Sequence, residues 1–289
     1  MDIVYLSFKC MNGCGIMTLI CWSSLFAYVI EVRCAMDSVL IFCYLYCFVF
    51  GCCIASFMNV VVYRLPRGIS IAKGRSFCGS CHHMLHAIDL IPILSYVFLK
   101  GRCRYCHAKI SIRHPLIELV GGLLAMLSFA HYGFSLMTPL VFSLAMVLMA
   151  ITLIDIDTMT IPDQLNIAVG VIAIISLFVY SMPLASRILG AVVYSGGMIA
   201  INFLKEESFG GGDIKLCIPL GFMLGIVNMT VGMFLAILVA GIYAIILLLT
   251  HNTKLQSHMA FGPFICGGCL IGLLYGGQLA TSYLRLFGL

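Results

Sequence analysis

At 289 residues, 62% of them hydrophobic and only 9% charged, with a mean hydropathy of +1.12, the chain lies outside the range of soluble globular domains, whose charged share is about a quarter. The net charge of +5 does not mark a nucleic-acid partner, because nine of the sixteen Lys and Arg fall between Arg64 and Arg113, as expected of one cytoplasmic loop in a polytopic membrane protein. The expected fold is all-α, a membrane helix bundle of about eight spans plus an extra N-terminal one, with lipid as its surroundings and a small metal-stapled cytoplasmic loop.

The apolar run from Gly15 to Ile30 follows Lys9 and reads equally as a signal-peptide core, a first anchor or an extension ahead of the true start at Met36. Residues 1–35 are therefore set apart, and residues 36–63 form the first helix of the bundle proper. Arg64 and Arg67 mark its cytoplasmic end, and Pro66 stops it. Asn59, polar within an apolar turn, suits an interhelical hydrogen bond at least as well as a ligand contact.

Residues 64–115 make the one long polar segment. Most of the fifteen cysteines sit inside apolar runs as small hydrophobes, but Cys78-x-x-Cys81 and Cys103-x-x-Cys106, with 21 residues between the pairs, are different. Two thiolates three residues apart reach one ion from a tight turn, and two such pairs close a tetrahedral sulfur site suited to structural zinc. A thiol redox pair is the rival reading, less suited to a reducing compartment. His82, His83, His86 and His107 crowd the same loop, although two complete pairs leave no need for them as ligands.

From Leu116 onward, residues 116–289 are nearly continuous membrane, with spans expected at about 116–132, 137–155, 164–182, 187–204, 214–227, 229–250 and 259–282. Counting alternate crossings from a cytoplasmic loop at 64–115 brings both Asp155 and the stretch before Asp213 to the cytoplasmic side. The glycines of 214–227 and 229–250 indicate close helix packing.

Ionisable side chains at the edge of hydrocarbon are costly and point to function. Asp155, Asp157 and Asp163 stand in Ile154-Asp-Ile-Asp-Thr-Met-Thr-Ile-Pro-Asp163, and Asp213 follows Gly210, Gly211 and Gly212. Two carboxylates close together in a partly dry site hold one proton between them, so one can accept a proton from water while the other polarises a carbonyl. Asp213 is one candidate; spacing alone does not rank Asp155 above Asp157. The glycines provide backbone freedom and close approach for an extended substrate, and Asp163, after Pro162, suits a helix N-cap.

These residues resemble the type IV prepilin peptidase family, the leader peptidase/N-methyltransferases of the bacterial inner membrane. The likeness runs through Ser56-Phe-Met-Asn-Val60, Tyr63-Arg-Leu-Pro66, both cysteine pairs, Asp89-Leu-Ile-Pro92, Arg113-His-Pro-Leu-Ile-Glu118, Asp155 to Asp163, Gly210 to Lys215 and Phe261-Gly-Pro-Phe264. The resemblance implies cleavage of the basic leader from prepilins or type II secretion pseudopilins at the cytoplasmic membrane face, and N-methylation of the new terminus from S-adenosylmethionine. It maps the family's GxGD motif onto Gly210 to Asp213, and its first acid, seven residues before Pro162, onto Asp155, with Asp157 in reserve. Ala55 and Gly79 depart from the family's usual residues, and residues 1–35 have no counterpart. The donor's binding place is not evident, although Gly101 beside Arg102-Cys103 would allow close approach.

Three other readings compete. A peptidase without methylation keeps the acids and the cysteine loop. A proton- or cation-coupled transporter explains the acids but not the cysteines, and a membrane thiol oxidoreductase explains the cysteines but not the acids.

Overall fold

The computed structural model describes residues 15–205, 209–251 and 259–286, with side chains from residue 38 onward. The chain divides into two compact units, Met1–Tyr46 and Cys47–Leu289, and every feature below that bears on function lies in the second. The order is α1 (Gly15–Arg64), α2 (Leu94–Phe98), α3 (Arg113–Tyr132), α4 (Met137–Thr158), α5 (Asp163–Val179), α6 (Leu184–Leu204), α7 (Gly211–His251) and α8 (Gly262–Leu286), with 3-10 turns at Leu65–Arg67 and Ala87–Leu90. Among the described residues there are only two isolated β-bridges, both in the cysteine loop.

The two N-terminal apolar runs lie in one helix, Gly15–Arg64. No Gly or Pro stands between Gly15 and Gly51 to interrupt it. Residues 1–14, on which the signal-peptide reading partly rests, are outside the described residues. Six described helices are long and apolar enough to cross a membrane, beginning with Ser38–Arg67, and α5 is a shorter apolar helix. The chain is a multi-pass membrane protein.

Small residues set the packing. A Cβ on Gly51 would lie 2.7 Å from the Ala125 Cβ, and one on Gly121 would collide with Ala55, so α1 and α3 approach to backbone distance. An alanine at position 55 therefore fits only because α3 offers glycine opposite it. Behind this pair, α4 forms the centre of the bundle, with Leu144, Ile151 and Ile154 fully buried.

The two spans expected at 214–227 and 229–250 are the two limbs of α7, which reverses at Gly225 (φ 70°, ψ 174°). The direction is fixed by contacts. Gly190 of α6 meets Gly221 before the break, while Tyr194, one turn further along α6, hydrogen-bonds Thr230 after it at 2.7 Å. The second limb then runs antiparallel to α8, with Gly232 against Gly268 and Tyr243 beside Phe264.

Backbone groups at this reversal and at the end of α5 are satisfied from α6. Ser186 Oγ accepts the Ile226 N–H, and the fully buried Arg187 guanidinium donates to the carbonyls of Phe222, Ser176 and Tyr180. A side chain at Gly225 would be strained by its left-handed φ and would sit 2.8 Å from Ser186 Oγ. Gly225→Ala is expected to destabilise the bundle by about 1–3 kcal/mol, read as a lowered Tm in detergent. Gly241→Ala, where the added methyl meets open space, is expected to leave Tm unchanged or slightly raised.

Candidate active site and metal centre

Three helix ends converge below the cysteine loop. α4 ends at Thr158, where Met159 takes a left-handed conformation (φ 50°) and its N–H closes back on the Asp155 carbonyl. The short link to α5 then carries Ile161 between the starts of α7 and α8. A Cβ on Gly212 would lie 3.0 Å from Ile161 Cβ, and one on Gly262 would lie 3.4 Å from Ile161 Cδ1.

Asp155 and Asp213 flank that link. Asp155 is 5% exposed, and its Oδ2 accepts the Gly262 N–H at 3.0 Å. The first turn of α8 leaves such N–H groups without intrahelical partners and carries a partial positive charge, so it is a favourable seat for a carboxylate. Asp213 stands in the first turn of α7. Its Oδ1 is buried with no hydrogen-bond partner among the described residues.

The neighbouring acids face other partners. Asp157 is exposed and forms a bidentate pair with Arg113 of α3, with both N–O distances 2.8 Å. Arg113 also reaches the Leu153 carbonyl, so α3 is clamped to the end of α4. Asp163 does not cap α5. Pro162 occupies the cap position and makes no side-chain cap bond, while Asp163 is the first residue of the helix and pairs with Lys215 of α7 at 2.8 Å.

The glycines before Asp213 act through space. None of Gly210, Gly211 and Gly212 has a positive φ, so backbone freedom is not what the fold requires there. A Cβ on Gly210 would sit 3.3 Å from Asp213 Oδ2, and one on Gly212 would press on Ile161. Gly101 does use its freedom, at φ 69° in a turn closed onto the Tyr96 ring, where a Cβ would lie 2.9 Å from the hydroxyl. That crowding is the mark of a turn glycine.

Gly262 was not singled out by sequence reasoning, and its only signal was membership of the Phe261-Gly-Pro-Phe264 stretch. An alanine there would place its Cβ 2.6 Å from Asp155 Oδ2 and push the carboxylate from its seat. Gly262→Ala is expected to slow any proton-transfer reaction carried by Asp155 about 10–100-fold, with Tm near that of the unmodified chain.

The cysteine loop is built from two matching turns. The Cys78 N–H donates to the His83 carbonyl and the His82 N–H to the Cys78 carbonyl. In the same way the Cys103 N–H donates to the Ala108 carbonyl and the His107 N–H to that of Cys103. His82 and His107 take the left-handed conformation that closes each turn, and a β-bridge frames each, Phe77 with Met84 and Arg102 with Lys109. The turns are tied together by Asp89, which accepts from the His86 N–H, Arg104 and Tyr105. Desolvation opposes charge on Asp89, but these donors hold its carboxyl below the ordinary range. At the other edge, Arg64 at the end of α1 donates to the carbonyls of Ser70, Lys73 and Arg75.

The four sulfurs all lie within 4.8 Å of one another, with Cys78 and Cys106 3.9 Å apart. Zinc–sulfur bonds of about 2.3 Å put tetrahedral sulfurs about 3.8 Å apart, so the cluster lies within about 1 Å of the dimensions of a four-cysteine zinc site. The Cys81 and Ser80 backbone N–H groups push the Cys78 thiol down to about 6. The Ala108 backbone pulls the Cys106 thiol down, but desolvation and the three neighbouring thiols carry it up to about 11. Four thiols this close ionise together only around a cation.

Comparison with known proteins places the chain in a family. Residues 49–132 match the Bacterial Peptidase A24 N-terminal domain, and residues 142–245 match the Type IV leader peptidase family. A prepilin leader peptidase/N-methyltransferase of Aeromonas salmonicida (strain A449) is 33% identical over 272 residues, 82% of this chain and 92% of that protein. A protein of the same description from Bacillus subtilis (strain 168) is 31% identical, covering 83% and 97%. One from Neisseria gonorrhoeae is 34% identical, covering 74% and 84%. No solved structure matches the chain significantly. The matched segments contain both cysteine pairs, Asp155 and Asp213, and the chain belongs to the type IV leader peptidase family.

Proposed function

We propose that the chain is an intramembrane aspartic endopeptidase of the bacterial inner membrane. It removes the basic leader from type IV prepilins or type II secretion pseudopilins at the cytoplasmic face and N-methylates the new terminus. The observation that carries the reading is the pair Asp155 and Asp213, on different helices but at one end of the bundle, with Asp155 held by Gly262 and Asp213 carrying a buried, unpartnered oxygen. Asp157 and Asp163 are occupied by Arg113 and Lys215.

In this reading Asp155, stabilised as an anion at the start of α8, takes a proton from the attacking water. Asp213 donates through its unpartnered oxygen to the scissile carbonyl, and the oxygen–carbon bond forms as the carbonyl becomes tetrahedral. On collapse one hydroxyl of the tetrahedral carbon returns its proton to Asp213, the C–N bond breaks, and the amine of the mature chain leaves with the proton taken up by Asp155. Ile161, packed between Gly212 and Gly262, holds the two acids in register. Cys78, Cys81, Cys103 and Cys106 would hold zinc, which cross-links the loop. When bound, S-adenosylmethionine supplies an electrophilic methyl group for the released amine.

The test is mass analysis of a prepilin incubated with the full chain and S-adenosylmethionine in detergent. The product is expected to lack its leader and to be one methyl group heavier than the unmodified mature chain. An intact leader would refute the peptidase, and a cleaved but unmethylated product would leave a peptidase alone.

A further inference from the structure

The short helix α2 carries its side chains the opposite way round from a helix in water. Ser95, Tyr96 and Leu99 turn inward, lining a cleft against the ends of α1 and α3. Leu94, Val97 and Phe98 share one stripe at i, i+3 and i+4 and are exposed among the described residues, Phe98 by 80%. Ile88 and Ile91, just before α2, are exposed as well. A stripe facing water is ordinarily polar, and a contiguous apolar one marks a surface that has a partner.

The height of α2 along the bundle identifies that partner. The Ile93 N–H, at the head of α2, donates to Glu118 Oε2 at 2.8 Å. Glu118 stands five residues past Arg113, the first residue of α3, which is about 7.5 Å along the helix axis. The 20 residues of α3 span about 30 Å, the thickness of the hydrocarbon core. The head of α2 is therefore held beside the first two turns of a spanning helix, at the depth where interfacial helices bury their apolar faces. Leu116, Leu119 and Val120 of those turns are exposed in the same way. To keep this place Ile93 takes φ 60° and ψ −52°, a conformation costly for a β-branched residue and imposed by its surroundings.

Charge completes the match. Between Arg64 and Arg113 nine Lys and Arg stand against one acid, Asp89. Arg104 and Arg113 are ion-paired, and Arg64 donates to carbonyls of the loop. Lys100 and Arg102 are exposed and have no ion pair among the described residues. They follow Phe98 in the turn that closes α2, where the Lys100 N–H donates to the Val97 carbonyl and the Arg102 N–H to that of Leu99.

We propose that α2 is an interfacial anchor whose partner is the anionic lipid leaflet beside α3. Leu94, Val97 and Phe98 enter the acyl boundary, and Lys100 and Arg102 bind the phosphate groups of the lipids around them. The anchor fixes the cysteine loop to the bilayer as well as to α1 and α3, and it does not depend on the peptidase or methyltransferase reading.

The test uses the full zinc-loaded chain in vesicles of phosphatidylcholine and phosphatidylglycerol. Trp22 is the only tryptophan, so Phe98→Trp in a Trp22→Phe background puts a single fluorophore on the stripe, and zinc content reports an intact loop. Lipids brominated along their acyl chains are expected to quench its emission about 2-fold or more, while aqueous acrylamide quenches it little. At equal mole fraction, brominated phosphatidylglycerol should be preferred over brominated phosphatidylcholine about 5-fold or more. That preference should vanish in Lys100→Gln/Arg102→Gln. If Phe98→Trp loses zinc, Leu94→Trp on the same stripe carries the test. Emission quenched by acrylamide and untouched by brominated lipid overturns the anchor. The same holds if only added prepilin shields the fluorophore, which would make the stripe a substrate surface. Equal quenching by the two lipids, or a preference that survives Lys100→Gln/Arg102→Gln, overturns the role of the two cations.

Discussion

Asparagine at either Asp155 or Asp213 is expected to reduce leader cleavage by about 1,000-fold or more, to a residual rate measured with high enzyme concentration and long incubation. Asparagine preserves the volume and one oxygen of each side chain, so in Asp155→Asn the amide oxygen would still accept from the Gly262 N–H and the helix ends would still meet. It removes the ability to exchange a proton, which is the function proposed for each acid. Tm and zinc content should therefore remain near those of the unmodified chain. Asp157→Asn is the contrasting change. Its side chain is exposed and bound to Arg113, and a solvent-exposed pair of this kind contributes about 1 kcal/mol or less, so cleavage should fall by no more than a few-fold.

Removal of zinc should produce the second large effect. The loop between Arg64 and Arg113 has few buried apolar residues, Cys103 being one of them at 4% exposure. Its two turns are held by a handful of backbone hydrogen bonds. Structural zinc contributes about 10–16 kcal/mol to the folding of small sulfur-ligated units, well beyond what those bonds supply. The purified chain is expected to contain one zinc, and Cys81→Ser or Cys106→Ser to lose it. Limited proteolysis should then cut between residues 68 and 112, and methyl transfer should fall about 100-fold or more. Cleavage should fall less, because Asp155 and Asp213 are held by α4, α7 and α8. Metal analysis finding no zinc in the unmodified chain would instead favour a thiol redox function for the two pairs.

The cysteine centre was legible in the sequence because its information is local. Each pair lies within four residues, and the tight turn that spacing demands is the turn observed, down to the left-handed residue after Cys81 and Cys106. The spans were legible for a related reason, since an apolar run long enough to cross a membrane has few alternatives. The α7 reversal falls at Gly225, three residues before the expected junction, because the fold needs a left-handed residue there and α6 supplies Ser186 and Arg187 to satisfy the broken ends.

What spacing could not decide was which acid of the first motif faces the second. Asp155 and Asp157 lie two residues apart on one helix and so point to nearly opposite sides. Their distant partners, Arg113 44 residues before Asp157 and Gly262 107 residues after Asp155, show which side each acid faces. Asp163 misled in the same way, its helix-start position suggesting a cap while Lys215, 52 residues later, takes its carboxylate. Gly262 stood in the sequence only as part of the Phe261-Gly-Pro-Phe264 stretch, with no local chemistry of its own, and its role comes from a contact across 107 residues.

The account turns on Asp155 and Asp213 acting as one unit, and the residual cleavage rate of the Asp155→Asn/Asp213→Asn double variant, set against the two single variants, measures this directly. Groups that serve one proton-transfer step are strongly non-additive, so the double variant should cleave prepilin no more slowly than either single one. A further loss equal to the product of the two single effects would show that the acids act independently and would contradict the shared site.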